Sequence, residues 1–184
     1  MAKLVDKTYG QALFDLGIED GKIDEYAKQV EVIRSMFHEN PDLLKLLLHP
    51  QITKEEKVDV IETCFKGKVD DAVTGFMVIV VKAGRQGDFE SIFSYFLNAV
   101  KAYKHIGTAY VTSAKALTDA QKKAVEDRLL QLTDNVSYET YYKVDPSLIG
   151  GMVIRIGDKV VDSSIKTQLE TISKKLMAIQ LGNQ

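Results

Sequence analysis

The chain changes its hydrophobic period once, and that change constrains the fold more than any single motif. Up to about His105 the apolar residues recur at helical spacing, whereas from "HIGTAYVTSA" onward several stretches alternate. A helical period buries one stripe of a cylinder and a period of two buries one face of a sheet, so the halves require different cores. The expected fold class is α+β: an N-terminal six-helix bundle over residues 1–105, then a small C-terminal α/β domain over residues 106–184, with the boundary near Gly107.

In the first part, Val5, Tyr9, Ala12 and Leu16 are spaced 4, 3 and 4 and predict a helix over about 5–16, with Gly17 and Gly21 at its exit. Ile23, Tyr26, Val30, Ile33 and Phe37 predict a second over about 22–37. Asn40 is placed to cap, and Pro41 to open, a short third helix that Pro50 ends. Thr53 and Glu56 have capping-box spacing ahead of Val58, Ile61 and Phe65, and Gly67 stops that fourth helix. The run "VDDAVTGFMVIVVKAG" is β-branched at its centre, yet Val69, Ala72, Val73, Phe76, Met77 and Val80 keep helical spacing. It reads as a fifth helix and, being apolar nearly all round, is expected at the centre of the bundle. A sixth opens at Asp88 and carries a long stripe from Phe89 to Tyr103.

In the second part, a strand over about 108–113 is followed by a helix capped at Thr118 with Gln121 behind it, then by the alternating "VSYETYYKV". In "LIGGMVIRIGDKVVDSS" two adjacent glycines precede an apolar run, and a phosphate cradle must be considered. A dinucleotide fingerprint has its strand before the glycines and its helix directly after them; here Gly150 and Gly151 come before the strand. The stretch therefore reads as a β-hairpin turning at Gly157-Asp158, after which Ser163 or Ser164 caps a terminal helix. That helix carries a heptad-like seam of Ile165, Leu169, Ile172, Leu176 and Ile179.

Composition narrows the function classes. A formal net charge of -2 without a basic run does not supply the clustered positive surface that phosphate-dominated nucleic-acid binding needs. The single cysteine, Cys64, excludes an internal disulfide and a zinc ribbon. The longest apolar runs, "LLKLLL" and "FMVIVV", fall far short of the roughly 20 residues of a spanning helix. The opening "MAKLVDKTYGQALFDLG" lacks the pattern of a secretory signal, and its Asp6 and Asp15 are unlike a transit peptide. Membrane association is expected only through a partner.

Catalytic chemistry finds no foothold in the pattern. His38, His49 and His105 are scattered near predicted helix ends, and no His-x-x-x-His pair exists. Glu55-Glu56 and Asp70-Asp71 are adjacent carboxylates in first turns, where the helix dipole favours them. "AGRQGD" lacks the Lys-Ser/Thr ending of a Walker loop. No catalytic, metal or cofactor residue is assigned, which leaves an interaction protein ahead of a small hydrolase or transferase built from scattered polar groups.

The run "VDPSLIGGMVIRIGDKVVDSSIKTQLETISKKL" resembles the C-terminal signature of the delta subunit family of bacterial and chloroplast F-type ATP synthases, which corresponds to the mitochondrial oligomycin-sensitivity-conferring protein. The likeness includes the apolar residue before Gly150-Gly151, the Ile-Arg-x-Gly-Asp turn, and Asp162 with a small residue before the helix. "YGQALFDLG" looks like the family's first helix. Where that family often has Arg-Pro before the tyrosine and alanine after it, this chain has Lys7-Thr8 and Gly10, and glycine inside a helix costs about 1 kcal/mol relative to alanine.

The resemblance implies a non-catalytic peripheral-stalk (stator) subunit of a proton-translocating ATP synthase; the alternative is a helical adaptor of another multi-subunit complex. It implies that a groove between the first and fifth helices grips the N-terminal helix of an alpha subunit, with Tyr9, Ala12 and Ile79 in its lining. It also makes Ile165, Leu169, Ile172 and Leu176 candidates for contact with the end of the b subunit stalk, unless that seam packs on its own sheet. The lack of a transit peptide points to the bacterial form, peripheral at the cytoplasmic face of the cell membrane.

Overall fold

The computed structural model describes the backbone of residues 2–181 and, within the helices and strands, side chains from Asp6 to Lys174. It is α+β. Contacts cluster into two units, Met1–Tyr103 and Lys104–Gln184. The described residues contain eight α-helices, six in the first unit and two in the second.

The first unit comprises α1 (Ala2–Glu19), α2 (Ile23–Glu39), α3 (Pro41–Leu48), α4 (Lys54–Phe65), α5 (Asp71–Lys82) and α6 (Phe89–Tyr103), with a 3-10 turn at Gln86–Asp88. Its core is aromatic at the centre. Phe37 of α2 meets Phe65 of α4 edge-on at 6.3 Å and stacks on Phe89 of α6 at 5.7 Å, and Phe89 stacks on Phe93 at 5.5 Å. These rings tie three helices through a large buried area and favourable ring geometry. The capping box at Thr53 forms as its spacing predicts: Glu56 N donates to the Thr53 hydroxyl, and Thr53 N donates to the Glu56 carboxylate.

Three local readings change. Gly17 does not end α1 but lies buried within it, where an added Cβ would come within 2.8 Å of Ile23 Cδ1. Asn40 makes no side-chain cap for α3; its Nδ2 donates back to Met36 O, so it closes α2 instead. The fifth helix is not enclosed. Phe76, Met77, Val80 and Val81 of α5 are buried, but Gly75 and Ile79 lie exposed on the opposite side, because α1, α2 and α4 cover only part of its circumference.

The second unit is a four-stranded sheet of order β2-β1-β3-β4, formed by β1 (Ile106–Ser113), β2 (Ser137–Val144), β3 (Met152–Ile156) and β4 (Lys159–Asp162). β1 and β2 are parallel and joined by α7 (Asp119–Leu132), as a parallel pair requires a long crossover. β3 runs antiparallel to β1 and turns into β4 through Gly157-Asp158, where only the glycine has positive φ, 55°. α7 lays Val125 and Leu129 on Ala109 and Val111, a much smaller core than that of the first unit. α8 (Ile165–Leu181) follows β4.

The glycine pair serves this last junction. Gly151 has φ +75°, and a Cβ there would lie 2.3 Å from Ser163 O; one on Gly150 would lie 2.5 Å from Ile165 Cδ1. The chain entering β3 thus passes directly beneath the start of α8. Ile149 before it has φ 66° and ψ -43°, with Gly150 N donating to Leu148 O at 2.7 Å, a γ-turn that a β-branched residue adopts only under strain.

The alanine that is frequent here in the family the chain resembles cannot be placed at Gly10 without movement. Gly10 is buried, and a Cβ would lie 2.5 Å from Tyr95 Cδ1 and 3.1 Å from Ile92 O of α6. Gly10→Ala is therefore expected to destabilise the protein by about 1–3 kcal/mol despite its better helix propensity. Combining it with Tyr95→Ala should cost less than the sum of the two single changes, measured by urea unfolding in a double-mutant cycle.

Candidate functional site

α1 and α5, the two helices that carry the expected groove residues, are in contact. Tyr9 is half-buried against the core, Ala12 one turn on is exposed, and Ile79 is 58% exposed. A large aliphatic side chain left in water on a helix whose other apolar residues are covered contributes little to its own fold. Gly75, one turn before Ile79, has open space where a Cβ would stand. Gly75 and Ile79 thus leave an uncovered side of α5 with one small and one apolar residue a turn apart.

A polar clamp holds the start of α5 against the α1–α2 turn. The Asp70 carboxylate caps α5 by accepting from Ala72 N at 3.0 Å and takes a second bond from Lys22 Nζ at 2.9 Å. Asp70 N donates to Gln29 Oε1, and the Tyr26 hydroxyl donates to Asp20 at 2.6 Å. The Lys22 ammonium, followed by the Ala72 amide, holds the Asp70 carboxyl below the usual aspartate range, while burial above all pushes the Tyr26 phenol up.

In the second unit Ile165, Leu169 and Ile172 of α8 are 43%, 53% and 54% exposed. Among the described residues of the seam these three stay partly in solvent, and it is α7 that supplies the helix side chains packed on Ala109 and Val111. Leu176, like Ile179 and Val5, lies outside the described side chains. The seam begins from a fixed point: Asp162 accepts from Ser164 N at 2.8 Å and from the Thr167 hydroxyl at 2.7 Å, and Thr167 N donates to Ser164 Oγ. Ser164 is thus the cap.

A surface not anticipated from the sequence lies between α7 and the β3–β4 hairpin. It is an apolar cleft of about 430 Å³ lined by residues that include Leu129, Leu132, Ile154 and Val161. The available signal was Val160-Val161, two adjacent valines in a strand that has polar residues at both ends. Among the described residues no group of three His, Cys, Asp or Glu side chains is placed to hold a metal ion, and no helix is long and apolar enough to cross a membrane.

Fold and surfaces together define a class: a two-unit interaction protein that presents apolar helix faces. The family model for the ATP synthase delta (OSCP) subunit matches residues 5–176. Subunit delta of ATP synthase from Lachnoclostridium phytofermentans is 52% identical over 182 residues, 99% of this chain and 100% of that one. The same protein from Brevibacillus brevis is 33% identical over 175 residues, covering 95% and 99%. In fold, the chain is similar to one in the cryo-EM structure of the Toxoplasma gondii mitochondrial ATP synthase hexamer, with TM-score 0.67 and 15% identity over 94% of this chain and 97% of that one.

The chain belongs to the ATP synthase delta (OSCP) subunit family. It is accordingly a structural stator subunit of the proton-translocating F-type ATP synthase, non-catalytic itself and a peripheral component of a membrane-bound complex.

The Asp70 clamp has a definite pH sense. A carboxyl whose pKa is depressed by folding stabilises the protein above the ordinary aspartate value of about 3.9, and that contribution is lost as pH falls through the folded value. Asp70→Asn should therefore lower stability at neutral pH and flatten its decline on acidification, read as unfolding midpoints from pH 7 to pH 3.

Proposed function

We propose that the α1–α5 face receives the N-terminal helix of an alpha subunit at the top of the catalytic head, with Tyr9, Ala12 and Ile79 in its lining. The observation that carries this reading is the exposure of Ile79 on a helix whose other large apolar residues are covered. The α8 seam of Ile165, Leu169, Ile172 and Leu176 receives the end of the b subunit stalk. On this reading residues 1–105 and 106–184 divide the work, one holding the head and the other the stalk, at the cytoplasmic face of a bacterial cell membrane.

Proton flow turns a rotor, and the head turns with it unless tied to the static part. The tie must outlast many catalytic cycles, so its dissociation must be slow. Buried apolar anchors act mainly on the dissociation rate, whereas rim charges act mainly on the association rate. An aromatic at Tyr9 supplies area, Ala12 permits close approach, and Ile79 supplies an aliphatic anchor. No step requires a proton to move on this chain.

Calorimetric titration with a peptide from the alpha N-terminus tests the first contact. Saturable binding is expected, weakened roughly tenfold or more by Ile79→Ala and by Tyr9→Ala. No saturable binding at micromolar concentrations overturns the assignment, and unchanged affinity in both variants moves the site elsewhere. Leu169→Asp should abolish binding of a fragment from the C-terminal end of the b stalk while leaving alpha-peptide affinity and the unfolding midpoint unchanged. Loss of both affinities together would sink the division of labour.

A further inference from the structure

α5 has an uncovered side at Gly75 and Ile79, so apolar burial decides which of its faces turns inward. Burial is non-directional and does little to fix where such a helix sits along its own axis. Polar ties at the two ends of α5 do that. At the far end, Lys54 Nζ of α4 donates at 2.9 Å to Lys82 O, a terminal carbonyl that a helix cannot satisfy from within.

At the start, the tie runs back to α1 through one residue. α1 closes in a Schellman motif: Gly21 has φ 65°, Gly21 N donates to Ile18 O at 3.1 Å, and Lys22 N donates to Gly17 O at 3.0 Å. The backbone of Lys22 is thereby fixed to the end of α1. Its side chain crosses to α5, where Nζ meets at 2.9 Å the Asp70 carboxylate that caps the helix at Ala72 N. Gln29 of α2 adds a second tie by accepting from Asp70 N at 3.0 Å.

The expected lining residues stand at similar distances along their helices from this link. At 1.5 Å per residue, Ala12 lies about 10 Å before Glu19 and Ile79 about 12 Å beyond Asp71. A shift at the link is therefore carried to both helices. A groove that must be ordered as its ligand arrives binds more weakly than one already set.

We propose that Lys22 is a positioning residue for alpha-subunit binding: by joining the end of α1 to the cap of α5 it sets the relation of the two helices that carry Tyr9, Ala12 and Ile79, without touching the bound helix. The proposal rests on the α1–α5 reading given above. Gln29 acts in the same sense through Asp70 N. An ion pair whose lysine is half exposed adds little to global stability, so its removal loosens the link while the fold persists.

Binding kinetics of the full chain on an immobilised peptide from the alpha N-terminus test it. Lys22→Met and, independently, Gln29→Leu should each raise the dissociation rate by about threefold to tenfold, with the association rate and the circular dichroism unchanged. Lys22→Arg keeps the charge and should retain the parent kinetics. Arg34→Met removes a different ion pair, to Glu90 between α2 and α6, and should leave the peptide kinetics unchanged. In an Ile79→Ala background the Lys22→Met effect should largely vanish, because the anchor it places is gone.

Unchanged dissociation in Lys22→Met and Gln29→Leu, where Ile79→Ala still weakens binding, overturns the positioning role and leaves the groove reading intact. An effect confined to the association rate, an equal effect of Arg34→Met, or full additivity with Ile79→Ala overturns it as well. No saturable binding by the parent chain overturns the groove reading itself, and this role with it.

Discussion

The close approach of α1 to α6 at Gly10 is the constraint on which the first unit depends. Without a side chain at this position the two helix backbones come near enough for Tyr95 to lie across α1, and Ser91 reaches Asp6 at 2.7 Å one turn away. Packing at that distance yields dense contact in place of the helix propensity that an alanine would bring. It also fixes which side of α1 is inside. On the remaining side Ala12 is left to the solvent.

A stator component has to be rigid within its units and sticky at chosen places outside them. The ring chain of Phe37, Phe65, Phe89 and Phe93 serves the first need by joining three helices through large buried surfaces. Apolar surface is also left uncovered, at Ile79 on α5 and at Ile165, Leu169 and Ile172 on α8, and in the proposed reading it meets the second need. Polar chemistry is used at junctions. Asp70 joins a helix cap to an ion pair, and Asp162 with Ser164 sets the start of α8.

Helix positions were legible because apolar stripes and caps are local. Thr53 with Glu56 and Thr118 with Gln121 form the capping boxes that their spacing announces. Gly17 was misread as a terminator because a glycine that ends a helix and one that admits a neighbouring helix look alike in a sequence; only the position of Ile23 separates them. Asn40 likewise had two helices within reach and bonded the earlier one. The surface residues Tyr9, Ala12, Ile79 and the α8 seam came from resemblance to a family, since no spacing rule says which apolar stripe of a helix stays uncovered.

By itself the sequence determined the class of fold, the existence and type of each major element, the hairpin at Gly157-Asp158 and the family, because all of these follow from short-range periodicity, turn chemistry and motif. Tertiary structure alone decided that α5 has an open side, that α7 supplies the side chains packed on Ala109 and Val111 while Ile165, Leu169 and Ile172 of α8 stay exposed, and that β2 stands at the edge of the sheet. The physical reason is the same in each case. Burial and edge exposure depend on which elements become neighbours, and that choice is made by packing among residues far apart in the chain.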